Sequence, residues 1–300
     1  MNVKVTTLGV LSVALAALFA YFFSAFLGGS SPNAAWYALG AAVLWLVFVV
    51  FQVFFVSDII PASFIIFFET VAFGLFTWHI GTTVMSLAAL VLLAAFLWWS
   101  HTAGANEMNN AFKLHFYKIA MPAAARASTA LALFLAVIYV GSINLKDPTA
   151  SKRVLENVFK PAEPIIARII PGFKFNDTLG GILTKSSPVK PEAPGTITAQ
   201  VNQMIDTLEK AIGVRAAQAD QIIDILYKAT IGRLLTLSKN MQTLILLGVG
   251  LLLFLTVKGL LFIVNWVVLL IVYIAMKVLQ ATGFYKISLE NRSKEVVVLD

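Results

Sequence analysis

The stretch IIFFETVAFGLF (Ile65–Phe76) sets a single carboxylate, Glu69, inside a run that is otherwise hydrocarbon, one glycine and one threonine. Its surroundings are equally apolar. Between Lys4 and Lys113 there is no lysine or arginine, and the only acids are Asp58, Glu69 and Glu107. Over the whole chain 59% of residues are hydrophobic, mean hydropathy is +0.87 and 12% are charged, whereas a soluble domain carries roughly 25% charged residues. Polar groups this sparse cannot cover that much apolar surface in water. The sequence therefore predicts an all-α, multi-pass membrane protein.

About 20 apolar residues cross a hydrocarbon core of ~30 Å. Seven segments meet that length: 8–27, 35–56, 59–79, 82–99, 127–144, 241–257 and 260–279. The organisation predicted from them is a five-helix block over 1–144, an extramembrane domain over 145–240, a transmembrane helical hairpin over 241–279 and a polar tail over 280–300. The last pair rests on a tight turn at VKGL (Val257–Leu260), since one helix over 241–279 would be nearly twice the bilayer thickness at ~1.5 Å per residue. Between the fourth and fifth spans, residues 100–126 place Met108, Phe112, Phe116 and Ile119 near helical spacing among lysines. That pattern suits an interfacial segment lying along the headgroups. The N-terminal apolar run is longer than the ~7–15 residues of a signal-peptide core and reads as a retained span.

Seven of the ten prolines fall within 145–240, so the first half of that domain reads as short pieces and turns. After the stiff spacer TKSSPVKPEAPG, Thr198 is positioned to cap a helix carrying Val201, Met204, Ile205, Leu208 and Ile212 on one stripe. A second helix, with Ile222, Ile223, Leu226, Leu234 and Leu237, reads as running straight into the sixth span. In the tail, YKISL and EVVVL have strand composition on either side of a polar turn, which predicts a short β-hairpin.

Seven crossings put the 145–240 domain and the C-terminus on one side. Counting cations near the membrane gives five on the other side (Lys4, Lys113, Lys118, Arg126, Lys258) and eleven on theirs, which points to the cytoplasm of a cell membrane. Asp58 and Lys258 are both expected at the membrane boundary.

Catalytic motifs are missing from the sequence: no Gly-rich phosphate loop, no H-E-x-x-H and no G-x-S-x-G. His79 and His101 end spans at opposite faces and cannot share a metal or haem. The chain has no cysteine, and its scattered basic residues do not suit nucleic acid. No enzyme, metal or cofactor is expected. The expected partners are the lipid bilayer and a second copy or another membrane protein. In the first span Ser12, Ala16, Ala20, Ser24 and Gly28 place a small residue at every fourth position, a row along which a neighbouring helix packs closely.

On a helix, Glu69 shares its azimuth with Asp58, Ala62, Ile65, Phe73 and Phe76, while Phe64, Phe67, Phe68, Val71 and Trp78 lie opposite. The aromatic face suits lipid, so Glu69 is expected to face the bundle. An intramembrane acid is a functional candidate by default, and its structural counterpart is a neutral carboxylic acid hydrogen-bonded to the next helix. The leading expectation is a non-enzymatic membrane anchor or assembly scaffold acting through the helical domain. The alternative is a small ion or proton channel or transporter built on Glu69.

Overall fold

The computed structural model describes residues 3–29, 31, 33–56, 58–110, 115–143, 152, 156, 159, 163–168, 172–186, 202, 203, 205–207, 209, 210, 215–290 and 294–299. In chain order its helices are α1 (Val3–Leu27), α2 (Ala34–Phe55), α3 (Ile59–Thr77), α4 (Thr83–Asn110), α5 (Phe116–Ser142), α6 (Glu163–Ile166), α7 (Leu179–Ser186), α8 (Ile222–Tyr227), α9 (Arg233–Leu235) and α10 (Lys239–Ala281). A π-helical turn over Lys228–Gly232 joins α8 to α9, and strands β1 (Tyr285–Glu290) and β2 (Lys294–Leu299) close the chain. Six helices, α1–α5 and α10, are long and apolar enough to cross a membrane. The chain divides into two compact units, one of residues 1–26, 30–142 and 247–300, the other of 27–29 and 143–246.

Within the first unit α2 is the central helix, with 72% of its apolar window buried, against 28–56% for the other five long helices. Its neighbours converge on Phe73 of α3, whose ring lies 5.1 Å from Trp45, 5.3 Å from Phe19 and 4.9 Å from Phe134. The outer face of α3 carries Phe64, Phe67, Phe68 and Leu75, each at least half exposed. Lipid provides no hydrophobic drive between helices, so close contact must come from shape. Small residues supply it between α4 and α5. A Cβ on Gly104 would collide with Val53 and come within 3.3 Å of Ala123, and one on Gly141 would sit 2.8 Å from Met85.

Two expectations about the connections change. Residues 100–126 are not a separate interfacial segment: α4 continues to Asn110 and α5 begins at Phe116. Ile119, Ala120, Ala123 and Ala124 are buried, and Ser100 Oγ donates to Ala123 O at 2.7 Å, so these turns belong to the bundle.

The second change is larger. α10 is one unbroken helix of 43 residues, so the turn at 257–260 and the seventh span are both corrected. The backbone stays helical through this stretch, and the Lys258 ammonium finds its acceptors on α5. Gly259 in a helix costs only about 1 kcal/mol, and a Cβ there would meet nothing within 4 Å. The true stop is Gly283, at φ +74°. Phe284 N donates to Leu279 O at 2.9 Å and Gly283 N to Gln280 O at 3.2 Å, the paired bonds of a Schellman motif.

α10 runs antiparallel to α5. Gly250 abuts Val140, Asn265 reaches Ser128, and Tyr273 meets Phe116. The chain thus leaves this unit after Ser142 and returns at Leu247 at one end. The β-hairpin lies at the other, where Tyr285 Oη donates to Met276 O at 3.1 Å and its ring packs 5.6 Å from Phe55. Lys4 Nζ also reaches Phe284 O there, at 3.0 Å. A tail on the same side as the domain required two crossings after residue 240. The structure has one continuous helix over that stretch.

In the second unit an isolated antiparallel bridge, Thr178 with Gln221, sets the starts of α7 and α8 side by side. Leu179, Ile205 and Ile225 form its small core. The second helix of this domain does not run into the membrane helix. It passes through the π turn and α9 and ends before Lys239, where Gln242 Nε2 donates to Leu237 O at 2.9 Å across the break. Lys228 holds Asp220 at 2.9 Å.

Two measurements check these packing and pairing statements. In thermal unfolding of the detergent-solubilised protein, Gly104→Leu should lower the midpoint markedly. Gly40→Ala, where a Cβ meets nothing within 4 Å, should be neutral or stabilise by up to about 1 kcal/mol. The hydrogen bond from Lys228, then that from the Ala217 amide, holds the Asp220 carboxyl below its ordinary value. Its contribution to stability is present above the unfolded-state value of about 3.9 and is lost as pH falls through the lower folded value. An NMR titration should place Asp220 below a model aspartate, and Lys228→Met should move it up; an unmoved midpoint would show that the pair does not form.

Candidate functional site

Glu69 lies nearly three turns into α3 with its side chain 0% exposed. Two other helices bring polar groups to it. α1 contributes Ser12, also 0% exposed, and α2 contributes Gln52, 2% exposed. The three side chains close a triangle. Ser12 Oγ donates to Glu69 Oε1, Gln52 Nε2 donates to the same oxygen at 2.7 Å, and Gln52 Nε2 donates to Ser12 Oγ at 2.8 Å. Both amide hydrogens of Gln52 are used, and the Ser12 hydroxyl both donates and accepts. Trp45 is fully buried on α2, two turns before Gln52. Its Nε1 and Glu69 Oε2 are both buried without a hydrogen-bond partner.

The local sequence explains the meeting. Gly9 lets α1 approach α3 so closely that a Cβ there would lie 2.9 Å from Ile65. Ser12, Ala16 and Ala20 continue that row, all 0% exposed. Farther along, Ser24 Oγ lies 3.4 Å from His79 Nε2, and Gly28 is exposed. Ser12 thus serves as a hydrogen-bonding group as well as a small packing residue. Gln52 was not singled out from the sequence. The available signal was that it is the only Asn or Gln between Asn33 and Asn106.

The remaining sequence candidates are scattered. Asp58 is exposed at the start of α3 and makes no side-chain cap. Lys258, read from the sequence as a boundary residue, makes interhelical contacts. It lies inside α10, where its ammonium donates to Ala125 O at 2.7 Å, Ser128 Oγ at 2.9 Å and Thr129 Oγ1 at 2.7 Å on α5. A third polar element joins it, since Asn265 Nδ2 donates to Ser128 Oγ at 3.0 Å. His101 is buried within α4, and neither ring nitrogen has a hydrogen-bond partner. Of the domain stripe, Ile205 is buried, while Val201, Leu208 and Ile212 lie outside the described residues.

The chain matches no protein-family model, no characterised protein and no solved structure, so function has to be argued from this geometry. An interhelical hydrogen bond in a membrane is worth about 0.6 kcal/mol on average and up to about 1.7; removing one partner of a buried pair adds the cost of the orphaned group. Glu69→Gln keeps an acceptor oxygen and should unfold close to the parent. Glu69→Leu leaves Gln52 and Ser12 unsatisfied and should cost about 1–3 kcal/mol, measured by detergent unfolding. Adding Gln52→Leu should recover part of that loss. A Glu69→Leu protein as stable as the parent would show that the triangle does not hold the helices.

Proposed function

We propose that this chain is a non-enzymatic multi-pass membrane anchor whose bundle presents the 143–238 segment as an assembly module for a second copy or another membrane protein. The observation that favours this reading is the sealing of Glu69. Its carboxyl group is 0% exposed and tied to helices α1 and α2. A transport acid must be reached by its ion, and transporters commonly reach theirs through broken helices. α1, α2 and α3 are continuous around Glu69.

Six crossings are the best fit to the long helices, with the two termini on one side and the domain on the other. The short turns at the domain end, GGSSPN (28–33) and WHIGT (78–82), hold no lysine or arginine. Among the described residues the opposite end collects Lys4, Lys118, Lys277 and Lys286. Short segments decide orientation and long domains count for little, so the termini are cytoplasmic and the 143–238 domain faces away from the cytoplasm. This reverses the side assigned from seven spans.

A second reading has its own observation. Glu69 Oε2 lacks a hydrogen-bond partner, and a free acceptor on an intramembrane acid suits a proton or cation site.

Because the chain has no cysteine, Lys190→Cys and Asp300→Cys variants give clean topology labels. Membrane-impermeant maleimide should reach them from opposite sides; labelling from one side would remove the six-span arrangement. Reconstituted protein should show no proton or cation flux above empty vesicles. Flux that disappears in folded Glu69→Gln would replace the anchor reading with the transport one.

A further inference from the structure

A cavity of about 290 Å³ opens at the end of the bundle where the β-hairpin docks. Phe54 at the end of α2, Phe116 at the start of α5 and Tyr273 on α10 form its apolar wall, and His115, Lys277 and Gln280 supply its polar groups. Among the described residues no carboxylate lines it. Lys277 is exposed, with its ammonium 5.9 Å from the centroid of the Tyr273 ring. Its surroundings suit the depth of a membrane interface. Exposed Tyr117, Tyr273 and Trp266 gather at this end of α5 and α10, and such rings settle at headgroup level. One side of the cavity is therefore suited to an acyl chain, and the other to an anion within reach of the Lys277 ammonium, the Gln280 amide and the His115 imidazole.

We propose that this cavity binds the headgroup of an anionic phospholipid. Lys277, the Gln280 amide and the His115 imidazole donate to the phosphate oxygens, and the upper acyl chain lies against Phe116 and Tyr273. The first-turn amides of α5, which have no acceptor within their own helix, add positive potential at the same place. A free phosphate would meet the same donors but would leave the aromatic wall bare, so the lipid is the better occupant. The site needs only that the chain sits in a bilayer, and it stands whether the bundle is an anchor or a channel.

The test uses the full chain in detergent, titrated with phosphatidylglycerol, phosphatidylcholine or inorganic phosphate and followed by native mass spectrometry and thermal unfolding. Phosphatidylglycerol should be retained preferentially and should raise the unfolding midpoint more than phosphatidylcholine does. Lys277→Gln should reduce that preference about fivefold, the worth of one basic residue at an anionic surface. Lys277→Arg should retain it, and Lys239→Gln, at the other end of α10, should leave it unchanged. Unfolding of Lys277→Gln without lipid shows whether the variant is folded, and Tyr273→Ala, which weakens the chain-binding wall, gives an independent second reading. Equal retention of both lipids, an equal loss in Lys239→Gln, or full stabilisation by inorganic phosphate alone would overturn the proposal.

Discussion

A polar group inside hydrocarbon has no water to turn to, and the arrangement of this bundle follows from that constraint. The carboxyl group of Glu69 is met by Ser12 and Gln52 from two other helices. The ammonium of Lys258 is met by three oxygens of α5. Each cluster fixes a relative rotation and depth of its helices that apolar packing alone leaves adjustable. In water such contacts compete with solvent and specify little; in lipid the alternative is an orphaned group costing several kcal/mol.

Around these points, packing proceeds through absent side chains as much as present ones. Gly9 faces Ile65, Gly104 faces Val53, and Gly141 faces Met85. The aromatic cluster at Phe73 sits one turn beyond Glu69, so the polar triangle and the most closely packed rings reinforce the same contact among α1, α2 and α3. α10 is different in kind. Much of it is exposed from Leu244 to Val278, and polar bonds from Lys258 and Asn265 are prominent in its attachment to α5. Its role is to carry the chain from the domain end to the hairpin end.

These features bear on function through access. A sealed and hydrogen-bonded acid is well suited to holding helices together and poorly suited to exchanging an ion. The cavity beside the hairpin is open, cationic and aromatic, and sits where a headgroup would be.

Composition alone determined the class of this protein, because 12% charge cannot cover so apolar a chain in water. Local pattern also placed the first five helices, the outward phenylalanines of α3 and the terminal hairpin, since each depends on near neighbours in sequence. Three features depended on the tertiary structure. Lys258-Gly259 looked like a turn because one helix over 241–279 would be nearly twice the bilayer thickness; the helix is continuous, and α5 supplies oxygens for the lysine within it. Residues 100–126 looked interfacial until the close approach at Gly104 and Ala123 drew them into α4 and α5. Gln52 looked unremarkable because a lone amide acquires meaning only from what another helix brings to it. Periodicity records which face of a helix is apolar, but the partner of a buried polar group lies 17 to 137 residues away in these clusters, and only the folded chain brings the two together.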